Sequence, residues 1–271
     1  MLATEALCFS WQQDQPALCD LTLDFSRGRV TGIIGANGCG KSTLFMNLLG
    51  LQRPQSGRVL WQGEPLRYDK ASLLALRQRL VLVFQEPDHQ LFYTDIDSDI
   101  AFALRNLGMA ESVIQGRLEQ ALALVGAGSF RHQPIQYLSH GQKKRVAIAG
   151  ALVMQSDYLL LDEPTAGLDP QGRAAMIEII KRISDQGRHV IVASHDIDLI
   201  YHICDYIYVM AQGRLLAQGS ERDVFLQSAL LARAGLSQPW LVKAHTRLGM
   251  PLVKTEQELF DIVGQSQEMP L

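Results

Sequence analysis

Gly35-Ala36-Asn37-Gly38-Cys39-Gly40-Lys41-Ser42 spells a complete G-x-x-x-x-G-K-S phosphate loop, directly after the apolar stretch Val30 to Ile34 and directly before the helical pattern Thr43 to Leu49. Glycines let successive backbone N–H groups turn inward on a polyphosphate, and the helix that follows adds its positive end. Lys41 is expected to reach the β- and γ-phosphates, and Ser42 to place its hydroxyl on Mg²⁺. A glycine-rich turn with no ligand explains neither the strand before it, the helix after it, nor the Lys-Ser ending. The loop therefore demands a strand-to-helix turn inside an α/β chain, and it makes that chain nucleotide-binding.

The rest of the sequence supplies such a fold. With 271 residues, 47% of them hydrophobic, the chain suits one large α/β domain plus an appendage. Leu2 to Phe9 and Leu18 to Phe25 read as alternating strands. Val30 to Ile34, Leu80 to Phe84, Tyr158 to Leu161 and Val190 to Ala193 are short continuous apolar runs, which suit a parallel sheet covered on both faces. Between them lie helical patterns at Thr43 to Leu49, Ser72 to Leu80, Gly141 to Val153 and Gln171 to Ser184, the β-α alternation of a doubly wound fold. Ligands of such sheets gather at the strands' carboxyl ends. Glu86 to Leu138 reads as an inserted helical subdomain, with main segments Ile96 to Leu107 and Ser112 to Val125 and a break at Gly126-Ala127-Gly128. A strand pair, Tyr206 to Met210 and Arg214 to Gln218, precedes a helical and loop-like tail from Glu221, punctuated by Pro239, Pro251 and Pro270.

Charge narrows the partners. Lys+Arg 25 against Asp+Glu 28 gives a formal charge of −3, with no basic stripe for nucleic acid. Cys8, Cys19, Cys39 and Cys204 are scattered without a C-x-x-C pair, which favours reduced thiols. Cys39, inside the phosphate loop, is expected to be open to alkylation or oxidation when nucleotide is absent. Met1 to Glu5 lacks a signal-peptide pattern, and no run reaches the ~18 apolar residues of a membrane span, so contact with a membrane is expected only through another protein.

Tyr158-Leu159-Leu160-Leu161-Asp162-Glu163 is an apolar strand ending in two carboxylates, the natural partner of a phosphate loop. Asp162 is expected to bind Mg²⁺, directly or through water, and Glu163 to polarise the attacking water. Leu138-Ser139-His140-Gly141-Gln142, followed by Lys143 to Ala149, resembles the Leu-Ser-Gly-Gly-Gln signature of the ABC ATPase family. Ser139 also starts a helix, so its hydroxyl and the N–H groups beyond it form a second anion site. The family resemblance implies an ABC-type fold: a mostly parallel core sheet, an antiparallel β subdomain, an inserted helical subdomain near 86–150 within an ATPase domain of 1–220, and a small C-terminal extension over 221–271. It also implies two chains meeting head to tail, with the phosphate loop of one and the signature of the other closing over each of two ATP molecules.

Further elements occur in family order. Gln85 matches the loop that senses Mg²⁺ and the membrane partner, and is expected to act in catalysis beside Glu163. Ala166-Gly167-Leu168-Asp169 matches the D-loop at the dimer seam. His195 matches the switch histidine that contacts the γ-phosphate. Trp11 sits where the family places a tyrosine against adenine, and an indole stacks at least as well. The resemblance thus implies an ATP site of Trp11, Gly35 through Thr43, Ser139, Gly141, Gln142 and Asp169, with Mg²⁺ on Ser42, Gln85 and Asp162. His140 departs from the family's usual glycine. Three readings stand open: slowed closure, a favourable imidazolium contact giving activity that varies near neutral pH, or tolerance with the ring turned outward.

Phe84 to Phe92, F-Q-E-P-D-H-Q-L-F, resembles a run typical of the ATPases of energy-coupling-factor importers, which bring in metal ions and vitamins. Asp99 to Phe102, Asn106 to Gly108, Ala147 to Gly150, Ala234 to Leu236 and Leu248 to Pro251 agree with that branch. Within it, the likeness is greatest to ATPases of cobalt importers. The implied assembly is a homodimer at the cytoplasmic face of a bacterial membrane, carried by a transmembrane coupling subunit and substrate-binding membrane subunits. Gln85 through Phe92 is expected to receive a helix of the coupling subunit, with Leu91 and Phe92 as apolar anchors. Nickel or vitamin import is the alternative cargo. A phosphate-loop kinase leaves the signature and switch histidine unexplained, and a chromosome- or ribosome-associated ABC ATPase would need a coiled coil or tandem domains. Asp95-x-Asp97-x-Asp99 fails as a calcium loop because Ile100 and Asn106 occupy the positions of the required Gly and Glu.

Overall fold

The computed structural model describes residues 1–12 and 15–267; Pro270 lies outside the described residues. The strands are β1 (Leu2–Gln12), β2 (Gln15–Asp24), β3 (Val30–Ile34), β4 (Ser56–Trp61), β5 (Glu64–Pro65), β6 (Leu80–Val83), β7 (Tyr158–Asp162), β8 (His189–Ser194), β9 (Tyr206–Ala211) and β10 (Arg214–Ser220). The helices are α1 (Lys41–Leu48), α2 (Lys70–Arg79), α3 (Ile96–Asn106), α4 (Glu111–Val125), α5 (His140–Leu152), α6 (Pro170–Asp185), α7 (Ile197–Ile203), α8 (Glu221–Phe225), α9 (Ser228–Arg233), α10 (Trp240–Leu248) and α11 (Glu256–Gln267).

The main sheet runs β10-β9-β3-β8-β7-β6, parallel from β9 to β6 with β10 antiparallel at one edge. Its central runs are apolar throughout because alternate residues serve opposite layers. Ile33, Leu160, Ile191 and Tyr208 face α1 and a smaller antiparallel sheet, β2-β1-β4-β5. Leu159, Leu161, Val190, Val192, Ile207 and Val209 face the layer built from α3 to α7 and the tail helices. The Tyr208 hydroxyl donates to Asp24 O at 2.7 Å and accepts from Asp24 N at 2.9 Å, tying the two sheets together.

Three elements lie beyond the sequence reading: β4, β5 and α7. The β4–β5 hairpin turns through Gln62 and Gly63 at φ 56° and 89°, a conformation signalled by Asn-Gly or Asp-Gly and weakly by Gln-Gly. Helix α7 has seven residues, too few to show a period, and is started by the Asp196 side chain accepting from Leu199 N. The signature helix begins at His140 rather than Gly141, because Ser139 caps it.

Register positions the site. Val83 pairs with Leu161, Asp162 with Ala193, and Ile34 with Ser194, all in parallel. The residues just beyond these strand ends, Gln85, Glu163, His195 and Gly35, therefore issue from one edge of the sheet, the carboxyl edge where such sheets bind ligands. The tail after β10 is fastened behind that edge to α7: Trp240 N donates to Asp198 Oδ1 at 2.9 Å, and the Tyr201 hydroxyl to Val253 O at 2.9 Å.

Candidate functional site

The phosphate loop is shaped by close backbone approach. A Cβ at Gly35 would collide with Met210 O and come within 2.6 Å of Cys39 Sγ. Gly40, the residue that starts α1, sits at φ 108°, and a Cβ there would meet Ala17 O at 2.7 Å. Ala36, Asn37 and Gly38 are exposed at the rim, as is Ser42 at the first turn of α1. Lys41 is only 6% exposed, and its Nζ donates to Gly35 O at 2.8 Å and Ala36 O at 3.4 Å. The same ammonium lies 3.6 Å from Glu163 Oε1.

Two buried carboxylates end β7. Burial raises the pKa of Asp162, opposed first by a hydrogen bond from the Ser42 hydroxyl and augmented by the charge of Glu163. Glu163 is held firmly: Oε2 accepts from Ser194 Oγ at 2.7 Å, and Oε1 accepts from His195 N at 3.0 Å and shares a 2.8 Å hydrogen bond with His195 Nδ1. Its φ of 45° is left-handed, a conformation costing a non-glycine residue about 1–3 kcal/mol that its surroundings must offset. A fixed carboxylate, a buried ammonium, an imidazole and a hydroxyl with a second carboxylate can together grip a polyphosphate, hold a divalent cation and polarise a water.

The His195 side chain is half exposed, with Nδ1 on Glu163, and lines a cleft of about 310 Å³ with Ala36, Asn37, Ile197 and residues 235–237 of the tail. Gln85 is exposed beyond the end of β6. Trp11, on β1, donates from Nε1 to Thr43 Oγ1 at 3.2 Å and meets Phe9 edge-on at 5.1 Å, so a half-exposed indole stands beside the first turn of α1. Trp11 and His195 stand beside the phosphate loop.

The signature residues do not. Ser139, His140, Gly141 and Gln142 line a separate cleft of about 450 Å³ together with Gly167, Leu168 and Asp169, and no phosphate-loop residue borders it. Ser139 Oγ accepts from Gln142 N at 3.2 Å while Gln142 Oε1 accepts from Ser139 N at 2.8 Å, a capping box that leaves the serine proton to be donated. Asp169 Oδ1 accepts from Gly172 N at 2.7 Å and starts α6. The His140 ring lies over Gly167, where an added Cβ would meet it at 3.3 Å, so it packs on the D-loop and is not turned outward.

The structure also corrects the expectation for Cys39. Cys39 is 5% exposed, and burial raises its thiol pKa, so it is a shielded, poorly nucleophilic side chain rather than a reactive one. Maleimide labelling of folded protein without nucleotide should therefore leave Cys39 unmodified while Cys8 and Cys19, both partly exposed, react; rapid labelling of Cys39 would refute this. Lys144 is a further residue of the site, and its place there is not legible in sequence. This 3% exposed ammonium donates to Glu163 O at 3.0 Å, Pro164 O at 3.3 Å and Ala166 O at 2.8 Å. The only sequence signal was a basic triplet after the signature, normally read as a solvated face.

Neighbouring features have structural explanations. Asp95 caps α3, Asp97 pairs with Arg131 at 2.8 Å, and Asp99 Oδ1 accepts from Phe92 N and Tyr93 N at 2.7 and 2.9 Å. The largest cleft described, about 710 Å³, is remote from the carboxyl edge. Its Arg117 and Arg188 each donate at 3.2 Å to a carbonyl ending α5, which explains them as helix caps.

Comparison with known proteins places these features in context. The family described as ABC transporter matches residues 18–166. The "Cobalt import ATP-binding protein CbiO" of Salmonella paratyphi A is 65% identical over 260 residues, covering 96% of each chain. The "Energy-coupling factor transporter ATP-binding protein EcfA2" of Clostridium perfringens is 39% identical over 240 residues, 88% of this chain and 84% of that one. Among solved structures, cbiO1 of Clostridium perfringens, described as part of the ABC transporter complex cbiONQ, superposes with a TM-score of 0.80 at 36% identity, covering 99% of this chain and 98% of that one.

Proposed function

This chain belongs to the ABC transporter family of ATP-hydrolysing, transport-coupled proteins, and on that premise we propose that it energises an energy-coupling-factor importer of cobalt ions as a homodimer enclosing two ATP molecules. The cobalt assignment rests on likeness to the Salmonella cobalt import subunit. One observation carries the two-chain arrangement: the phosphate loop with His195 and the signature with Asp169 border different clefts of the same chain. Each cleft is half of an ATP site, and a second copy rotated head to tail supplies the other half.

In this reading Lys41 and the loop N–H groups grip the phosphates, Trp11 stacks on adenine, Glu163 polarises the attacking water, and His195 and Gln85 bear on the γ-phosphate. Ser139, Gly141 and Gln142 of the second copy close the site, with Asp169 at the seam. Ser42, Asp162 and Gln85 supply only hard oxygen donors, and the buried Asp162 carboxylate suits a cation. They are the residues to hold Mg²⁺, which when bound neutralises charge on the β- and γ-oxygens. ATP favours the closed dimer through contacts absent from the open one, and hydrolysis releases it. Residues 1–220 form the ATPase unit, about 86–150 the arm that carries movement to the membrane subunits, and 221–271 the extension.

Among the described residues no helix is long and apolar enough to cross a membrane. Docking to the coupling subunit falls to an exposed aromatic group on the arm, where Phe92 and Tyr93 lie 6.3 and 5.8 Å from Phe102 between ring centroids. Leu91 instead packs against the core. The loop is braced to α5 by Lys143, whose Nζ meets Asp88 Oδ1 at 2.6 Å. Replacing Phe92 and Phe102 by alanine should weaken membrane association by roughly 2–4 kcal/mol while ATP binding in isolation is unchanged; undiminished co-purification with the coupling subunit would move the docking surface elsewhere. The assignment as a whole is tested by purifying the complex from native membranes and measuring uptake of cobalt, nickel and vitamins. Uptake of nickel or a vitamin without cobalt would replace the cargo, and isolation without any membrane subunit would refute the importer role.

A further inference from the structure

We propose that Lys144 is a positioning residue that fixes the backbone of Glu163 and links one ATP site of the dimer to the other. An ammonium has three N–H donors, and here they meet the carbonyls of Glu163, Pro164 and Ala166 at 3.0, 3.3 and 2.8 Å. The bonds to Glu163 O and Pro164 O are buried, so water does not replace them when the ammonium is removed: Pro164 O is left unpaired and Glu163 O keeps only the 3.1 Å bond from Ala166 N.

The consequence concerns the left-handed conformation of Glu163. Its N–H donates to Ala193 O at 2.8 Å on one side, and its carbonyl accepts from Lys144 on the other. Both peptide planes flanking the Glu163 Cα are thereby pinned, which sets the direction of Cβ and of the carboxylate. Without Lys144 the Glu163 carbonyl keeps only the 3.1 Å bond from Ala166 N, whose turn loses its own tie to Lys144 through Ala166 O, so the residue can relax toward the conformations that side chains normally favour, shifting the carboxylate off the position it shares with Ser194 and His195.

Lys144 sits on α5, the helix that Ser139 begins. One rigid element therefore carries the signature at its tip and, within its first two turns, the clamp on Glu163. This second part rests on the two-chain reading given above, in which Ser139 serves the ATP held by the partner copy and Glu163 the ATP held by its own phosphate loop. A displacement of α5 when the signature engages one ATP is transmitted by a single side chain to the carboxylate acting on the other.

Steady-state ATP hydrolysis by the full chain with Mg²⁺ tests the clamp. Lys144→Met should lower kcat by roughly 10- to 100-fold, change KM for ATP by less than about threefold, and bring the Hill coefficient toward one. Lys144→Gln, which keeps two N–H donors, should recover part of the loss. Unchanged kcat in Lys144→Met, or a Gln variant no better than Met, overturns the proposal; should thermal melting show that Lys144→Met fails to fold, Lys144→Gln is held to the same criteria against the unsubstituted chain. In a Glu163→Gln background, Lys144→Met should retain the ATP-stabilised dimer. Loss of that dimer only in the double variant makes Lys144 part of the closing surface and overturns its positioning role. A Glu163→Gln protein that never dimerises refutes the two-chain reading and with it the link between sites, while kcat still decides whether Lys144 positions Glu163.

Discussion

Glu163→Gln should cut ATP turnover by roughly 10²- to 10⁴-fold, the range for loss of a positioned general base, while leaving nucleotide binding intact and trapping an ATP-bound dimer. The substitution suits this site because an amide can reproduce most of the observed contacts. Its carbonyl oxygen can take the place of Oε1, which accepts from His195 N and Nδ1. Its NH₂ can take the place of Oε2 and donate to Ser194 Oγ, which now donates to Oε2 at 2.7 Å. Ser194 Oγ already accepts from Asp196 N at 3.0 Å, and a hydroxyl has a second lone pair for this reversal. Geometry is thus retained and basicity lost. Single-turnover hydrolysis and gel filtration with ATP and Mg²⁺ read the two effects separately. Unreduced turnover would remove Glu163 from the chemistry, and a protein that remains monomeric would count against two chains sharing each ATP.

Lys41→Ala should weaken ATP binding by roughly 10- to 100-fold, corresponding to a charge-assisted hydrogen bond worth about 1.5–3 kcal/mol, and should abolish measurable hydrolysis. The side chain is already inside the loop, spanned between Gly35 O, Ala36 O and the Glu163 carboxylate. Little conformational entropy remains to be lost when its ammonium exchanges those contacts for phosphate oxygens. Its removal also takes a cation away from the buried Glu163, so Lys41→Met, which fills the same volume, is the companion variant that separates lost binding from lost packing. Calorimetric titration with ATP in both variants checks the result. Full affinity in Lys41→Met would show that the ammonium does not contact the phosphates.

The parts of this protein most legible in sequence are those whose physics is local. The Gly35 to Ser42 loop is dictated by where a Cβ cannot be placed and where a helix must start, and both are written in eight consecutive residues. The runs at Val30, Tyr158 and Val190 announced buried parallel strands because both faces had to be apolar. Asp162 and Glu163 were visible as charges ending such a run. By contrast, β4 offers only the short apolar run Val59 to Trp61, β5 is two residues long, the pair turns through an uncommon dipeptide, and α7 is too short for a period to show. The burial of Cys39 is not legible in sequence because its shielding comes from outside its own segment: it belongs to the buried cluster that includes Leu18, Tyr208 and Met210.

The sequence by itself determined that this chain binds and hydrolyses ATP in an α/β frame, since the motif residues, their order and their places at strand ends are all properties of short segments. Only the tertiary structure decided that the signature and the phosphate loop open into different clefts, that His140 rests on the D-loop, and that a lysine resembling a surface charge is buried against the backbone of Glu163. Each of these depends on how segments distant along the chain pack together. Desolvation and hydrogen-bond satisfaction act on whatever packing makes adjacent, so their outcome for a given side chain cannot be read from its own neighbours in sequence.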